Sequence, residues 1–345
     1  MITQDTRSPF VDPAAVEAWD AWFRWREHDR LQDITIDSTW QRVAHALTAT
    51  VPPDERAQAE QDIRQAFRAW EVLLDERVLA TAGTGAPDWP NDELAAVVNV
   101  ASFVRGVSGV PYLDLAGLRR AASLAVILTD LAAWAADADR QRVLRPRIGL
   151  IGFGDALVLL RMSYGSVAAS RVAAQVAQGL LVGATAGSIK QAMHYGALVH
   201  ASEGRSAQWL SELPPGLRDV GHNVGLRHAT LTAITPQPRL ALFANGVADG
   251  IDPAIRKPCE RRMGAGHSAR IISSPGYAQT VLYLHGMTAE WPGLSSEQLE
   301  LAMRETVDIM QPWIDRPIAH SRLLIEMSDR TTHPCMSPSC DGEFL

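Results

Sequence analysis

The chain has few cysteines, almost no lysine and more acidic than basic residues. Three cysteines in 345 residues are too few for the disulfide framework of a small secreted protein. Lys190 and Lys257 are the only lysines, and the formal net charge is −7. Because the chain lacks the positive field that holds a phosphate backbone, we expect no nucleic-acid partner.

Long apolar runs are also missing. The most apolar stretches, residues 124–128 and 180–183, end well short of the roughly 18 residues that a membrane span requires. Residues 1–8 lack the basic segment followed by an apolar one that marks a secretory signal. We therefore expect a cytoplasmic protein with no membrane span, and its 47 % apolar content allows a sizeable core.

The first third of the chain predicts helices rich in aromatic residues. Aromatic side chains recur at three- and four-residue spacing over residues 14–28, and further helices are expected near residues 36–47 and over 55–74. A Gly- and Pro-rich stretch at 83–91 indicates a boundary. The predicted domains are a helical one over residues 1–85, a second over 86–325 and a flexible tail over 326–345.

Glycines punctuate the most informative stretch, residues 147–155. The apolar run before Gly152 and the amphipathic run after Asp155 predict a strand, a glycine turn and a helix. A β-rich run at 228–234 predicts a second strand, and residues 164–200 predict short helices joined by small-residue turns. Gly183, Gly187 and Gly196 in this stretch indicate close helix packing and not phosphate binding. The fold class is therefore α/β and helix-rich. The glycine spacing fits a dinucleotide-binding loop poorly, so a structural turn is the better interpretation.

Two cysteines near the end of the chain, Cys335 and Cys340, lie close enough in sequence to form a disulfide. A mobile pair of this kind can carry electrons by thiol–disulfide exchange. The alternatives are chance proximity and, less well supported by spacing, a zinc site with His333 and Cys259. The role of Cys259 stays open.

Eight segments along the chain carry a further signal through their sequence and their order: residues 22–26, 39–44, 75–84, 98–103, 148–155, 227–236, 246–253 and 311–321. Taken in this order, they resemble the large catalytic subunit of ribonucleotide reductases, most closely the adenosylcobalamin-dependent class. The resemblance implies a helical N-terminal domain followed by part of an α/β barrel, with adenosylcobalamin as a possible cofactor. It places Asn99 and Ser102 in a segment like the family's Cys-Asn-Leu-Gly-Ser.

The resemblance also shows what has changed. The block of barrel strands that carries the family's radical cysteine is missing between Gly83 and Val98, and Val98 stands where one reducing cysteine would be. The family's phosphate-binding Pro-Thr-Gly-Thr corresponds to residues 236–239. The candidate phosphate or nucleotide contacts are Thr235, Pro236, Gln237, Arg239, Asn245 and Asp249.

Three functions remain open at this point. The first is a catalytically silent relative acting as an accessory or regulatory partner, for which a full-length ribonucleotide reductase is one candidate. The second is one half of a split reductase that supplies Cys335 and Cys340 as a redox tail. The third is a nucleotide- or cobalamin-binding protein. A barrel without its first strands would expose a sheet edge, so we also expect self-association or a partner there.

Overall fold

A computed structural model describes residues 9–320, except residues 29, 86, 91–92, 138, 201–204, 256–258, 264–269 and 289–293. The α-helices are α1 (Pro13–Ala18), α2 (Ile36–Thr48), α3 (Pro53–Arg68), α4 (Glu76–Thr81), α5 (Leu115–Ala136), α6 (Phe153–Leu159), α7 (Val167–Tyr195), α8 (Arg205–Ser211), α9 (Pro215–Val224), α10 (Pro238–Phe243), α11 (Tyr277–Leu284) and α12 (Ser296–Met310). A π-helix spans Trp19–Phe23, and 3₁₀-helices span Val100–Phe103 and Gln311–Trp313.

The strands are short. They are β1 (Arg26–Glu27), β2 (Arg30–Leu31), β3 (Val72–Leu74), β4 (Ala95–Asn99), β5 (Val104–Arg105), β6 (Tyr112–Leu113), β7 (Arg147–Ile151), β8 (Cys259–Met263) and β9 (Arg270–Ser274). The fold is helix-rich α/β, as the sequence predicts.

The central sheet has the order β3-β4-β7. Strands β4 and β7 are parallel, with Val98 opposite Leu150, and β3 is antiparallel to β4. Beyond β7 the chain at residues 231–234 continues the sheet through a parallel bridge from Ile148 to Thr232. Residues 316–319 follow on its far side, because the Arg316 and Ala319 N–H groups donate to the Thr232 and Ile234 carbonyls. These segments form a mostly parallel sheet with antiparallel β3 at one edge. We call the chain from residue 93 onward, which contributes all of the sheet except β3, the barrel part.

Strand β3 answers the question of the sheet edge. Sequence reasoning expects an exposed edge beside β4, but β3 covers β4, and its three residues are fully buried. A short, buried strand offers little surface for pairing with another chain. This edge therefore does not support the predicted partner or self-association, which remains a prediction.

Four predicted elements differ from the structure. The aromatic helix expected over residues 14–28 ends at Phe23, because Arg24 is extended and the short strand β1 follows. The strand expected over residues 228–234 is present only as the bridge from Thr232 to Ile148.

The helix expected over residues 55–74 ends at Arg68, because the chain turns at Trp70 with a positive φ of 55° and Val72–Leu74 then pairs as β3. The predicted short helices of residues 164–200 are instead the single 29-residue α7. Its glycines do not break the helix, since they lie against α5.

Helix α7 is long and apolar enough to cross a membrane by length and composition, but 78 % of that window is buried inside the protein. It packs along α5, on which Asp114 is the N-cap and accepts from the Gly117 N–H at 2.8 Å. These features are those of a core helix.

The N-terminal helices and the sheet share one core. The Phe243 ring on α10 packs against Phe23, Trp40 and Trp70, with ring centroids 4.5, 5.5 and 5.1 Å away. The aromatic residues of the first third therefore pack against the barrel part and do not form a separate bundle. The domain boundary near residue 85 remains a prediction.

Candidate functional site at the carboxyl ends of the parallel segments

The parallel segments end on one side of the sheet, which we call the carboxyl edge. Asn99 is the last residue of β4, Gly152 follows β7, and Thr235 follows residues 231–234. In parallel α/β sheets, ligands bind at this side, where the loops that follow the strands meet. Most of the candidate binding residues predicted from the sequence lie in these loops or next to them.

Gly152 allows the backbone to pass close to Asn99. Its φ is +71°, and a Cβ there would lie 2.4 Å from Asn99 Oδ1. The Gly152 N–H donates to the Ala248 carbonyl at 2.7 Å. Asn99 is 1 % exposed, and its Oδ1 accepts no hydrogen bond within the described residues. The glycine turn is structural, as its spacing predicts.

Asp155, in the first turn of α6, joins the loop after residue 247 to α11. It is fully buried, and its carboxylate accepts from the Ala248 N–H at 2.6 Å and the Ala278 N–H at 3.0 Å. Burial raises the pKa of Asp155 to about 6, while these N–H groups oppose the rise. The carboxylate therefore positions the loop after residue 247 against α11.

The loop of residues 235–239 has very few free donors. Pro236 and Pro238 have no N–H, and the Gln237 N–H donates to Asp249 Oδ1 at 2.7 Å. The Gln237 side chain reaches Thr235 Oγ1 at 3.4 Å. A side-chain carboxylate thus takes the one backbone donor of residues 236–238.

Arg239 is held by the N-terminal part of the chain. Its guanidinium pairs with Glu76 at 3.3 Å and lies over the Trp22 ring, 5.3 Å from the centroid. Burial raises the pKa of the Glu76 carboxyl, and the Arg239 charge opposes that rise. We call Trp22, Glu76, Gln237, Arg239 and Asp249 the arginine–acid cluster.

Asp249 is the most buried acid of this cluster. Burial raises its pKa to about 6; the Gln237 N–H lowers it, and the nearby Glu76 charge raises it. Asp249 Oδ2 is buried and accepts no hydrogen bond from any described residue. The cluster therefore contains two carboxylates and one guanidinium.

Asn245 and Ser102 use their side chains to bond the backbone. Asn245 has a φ of +69°, accepts from the Val11 N–H at 2.7 Å and donates to the Pro9 carbonyl at 3.3 Å. Ser102 donates to the Trp70 carbonyl at 2.7 Å. These contacts attach the N-terminal segment and the turn before β3, and they lie outside the arginine–acid cluster.

Sequence reasoning missed Glu76 and Trp22, because their pairing with Arg239 joins positions more than 160 apart in the chain. It also missed a buried network around His228. Nε2 of His228 lies 2.8 Å from Asp130, and its Nδ1 lies 2.9 Å from Ser188 Oγ. All three residues are 0 % exposed, so no substrate can reach this Asp-His-Ser arrangement, and His228 is a satisfied core histidine.

None of the described side chains at the carboxyl edge is a thiol. Val98 is fully buried on β4, and the backbone of Cys259 begins β8, opposite Ser274. Cys335, Cys340 and His333 lie outside the described residues. Among the residues that the structure describes, no three His, Cys, Asp or Glu side chains form a group that could hold a metal ion.

Comparison with known proteins agrees with the architecture. No curated protein matches the chain. The family model described as "Ribonucleotide reductase, barrel domain" matches residues 94–286, more than half of the sequence. The match includes β4, β7, the arginine-bearing loop and α10. On this evidence, the chain belongs to the ribonucleotide reductase barrel-domain family.

Proposed function

We propose that this protein is a ribonucleotide reductase relative that does not reduce nucleotides by itself and acts as an accessory or regulatory partner in deoxynucleotide metabolism, in the cytoplasm. The observation that carries the proposal is the presence of a valine, Val98, at a key position of the sheet. It is buried on β4, where the resemblance puts one cysteine of the reducing pair. Part of the barrel is present, and a residue without a thiol stands at this position.

The chemistry of reduction requires thiols at this place. Ribonucleotide reduction of this kind needs a thiyl radical and a neighbouring dithiol, and a valine side chain has no S–H bond to supply either. Adenosylcobalamin would supply radical-generating chemistry, which acts by removing the hydrogen atom of a cysteine S–H group. The described residues of the carboxyl edge do not fit that role, because none of them is a cysteine.

A turnover assay tests this proposal. The purified full chain is incubated with each ribonucleoside diphosphate and triphosphate, adenosylcobalamin and a dithiol, and deoxynucleotide is measured by chromatography. We expect none above the no-enzyme control. A second arm adds a complete reductase, whose rate or nucleotide preference should change with the concentration of this chain. Deoxynucleotide formed by this chain alone would overturn the proposal.

A second candidate function is supported by the direction of the last described segment. Residues 316–319 run parallel to residues 232–234, so the chain reaches His320 while travelling towards the carboxyl edge. Cys335 lies fifteen positions further on, a length of chain that can reach roughly 50 Å when extended. The cysteine pair could therefore serve a partner's active site as a redox tail.

Replacing both cysteines separates the two candidates. If the chain is a redox-tail subunit, the Cys335→Ser/Cys340→Ser double variant should abolish the activity that the wild-type chain adds to a partner reductase under thioredoxin-type reduction. A small dithiol that bypasses the tail should restore it. Unchanged activity of the double variant would leave only the regulatory role.

A further inference from the structure

We infer that the anion-binding groups of the 235–239 loop are self-occupied: Asp249 and Glu76 hold the N–H and guanidinium donors that a phosphate would otherwise use, so the chain binds phosphorylated ligands only after these carboxylates are displaced or neutralised. This inference rests on the proposed function, since it concerns how a binding site of the same barrel is regulated.

The donors come first. Phosphate sites in proteins combine backbone N–H groups with an arginine, whose planar fork matches the phosphate oxygens. This loop keeps one backbone donor of that kind, the Gln237 N–H, and one arginine, Arg239. The N–H donates to Asp249 Oδ1 at 2.7 Å, and the guanidinium pairs with Glu76 at 3.3 Å. Both donors are therefore bonded to carboxylate oxygens, which are chemically similar to phosphate oxygens.

The charges of the arginine–acid cluster also disfavour the binding of a phosphate. A phosphate approaching Arg239 would meet the negative charges of Glu76 and Asp249, and the Glu76 charge is close enough to raise the pKa of Asp249. The two carboxylates outnumber the one guanidinium, so the cluster repels an anion although it contains the donors for one. The repulsion comes from carboxylates of the chain itself, and a single substitution removes one of the two negative charges.

The position of Glu76 shows how the block could be released. Glu76 begins α4, which belongs to the N-terminal helices, whereas Arg239 and Asp249 belong to the barrel part. The Glu76–Arg239 pair is partly exposed, with 28 % of the Glu76 side chain and 43 % of the Arg239 side chain accessible. Exposed pairs of this kind are weak and exchange easily. A partner that draws α4 away would therefore free the guanidinium for a phosphate.

Calorimetric titration of the full chain with pyrophosphate and with ADP tests the inference. The variants are Glu76→Gln, Asp249→Asn and the double variant. We expect the wild type to bind neither anion below millimolar concentration. Each single variant should bind roughly tenfold more tightly or better, because it removes a competing charge-assisted bond.

Two matched controls make the result specific. Asp219→Asn, at an exposed position of α9, changes the net charge by the same amount and should leave the affinity unchanged. Adding Arg239→Ala to the Glu76→Gln variant should remove the gained binding. Circular dichroism checks that each variant is folded; if Asp249→Asn does not fold, the partly exposed Glu76→Gln decides.

The inference fails if the wild type already binds pyrophosphate as tightly as the variants do, if Asp219→Asn gives the same gain, or if the gain survives Arg239→Ala. These are equilibrium affinities measured without turnover. If the chain reduced nucleotides, the proposed function would be wrong, but the affinity measurements would still test this inference independently.

Discussion

Single residues at the carboxyl edge set the close backbone approaches. Gly152 has a left-handed conformation that side chains other than glycine rarely adopt, and Asn99 occupies the space where a Cβ would lie. Neither requirement is visible in the sequence alone. The sequence shows a glycine after an apolar run, and the structure shows what that glycine must avoid.

Replacing Gly152 by alanine should be costly. We expect Gly152→Ala to lower the free energy of unfolding by roughly 2–4 kcal/mol, from the positive φ and the overlap with Asn99. Urea denaturation measures it. Gly216→Ala is the control, because a Cβ at Gly216 in α9 meets nothing within 4 Å, and it should be neutral or slightly stabilising. If overlap contributes, Asn99→Ala should recover part of the loss, and strict additivity of the two changes would argue against it.

Asp155 should make stability depend on pH. Its pKa is about 6 in the folded protein, against an ordinary value of 3.8, so the folded state binds more protons between these values. The contribution of Asp155 to the free energy of unfolding should therefore fall as the pH rises from about 4 to 6, by up to roughly 3 kcal/mol at about 1.4 kcal/mol per pKa unit.

The variant Asp155→Asn isolates this contribution. It cannot titrate, so the stability of the wild type relative to the variant should be greater at pH 4 than at pH 7. Chemical denaturation of both proteins across this range measures the difference. A relative stability that is constant, or greater at pH 7, would contradict the raised pKa.

Among the elements, the α5–α7 pair depends on glycine for its close approach. Gly183 and Gly187 lie on the face of α7 that meets α5, and a Cβ at Gly183 would lie 2.3 Å from the Arg119 carbonyl. A backbone atom cannot move aside as a side chain can. The close helix packing that the sequence predicts is therefore present at Gly183 and Gly187, whereas a Cβ at Gly196, beyond the end of α7, would meet nothing within 4 Å.

Substitutions along α7 should differ sharply. Gly183→Ala should destabilise the protein by roughly 1–3 kcal/mol, because the two helices must separate. Gly179→Ala is its control on the same helix, since the nearest atom to its Cβ would be the movable Leu118 Cδ2 at 3.1 Å. Its cost should be offset by the better helix propensity of alanine. Thermal melts that place both variants at the same midpoint would disprove the close approach.

At the scale of the whole molecule, the N-terminal segment is fastened to the barrel part. Asn245 bonds both Val11 and Pro9, and Asp12 accepts from Ser274 on β9. Together with the shared aromatic core, these bonds hold the helices that supply Glu76 and Trp22 against Arg239. The state of the arginine–acid cluster therefore depends on how the two parts are joined.

Loosening that attachment should be measurable. Asn245→Gly keeps the positive φ without strain but removes both bonds, and we expect the Val11 amide to exchange its hydrogen at least several-fold faster. Asn245→Asp retains the acceptor for the Val11 N–H and should show much less change. Equal exchange rates in the wild type and the glycine variant would show that the segment is held by packing alone.

The sequence by itself determined the local elements. The strand–turn–helix around Gly152 and the helix-rich α/β class follow from short-range patterns. These features depend on neighbours within a few positions, so one chain is sufficient to predict them. The order of family-like segments also identified the barrel, which the family match confirms.

Only the tertiary structure decided the rest. Val72–Leu74 is a strand because it pairs with β4, and α7 is continuous because α5 packs against its glycines. Glu76 and Asp249 became the partners of Arg239 and Gln237 through contacts between distant parts of the chain. Pairing over such separations depends on the folded arrangement, because no local pattern records which buried donor meets which acceptor.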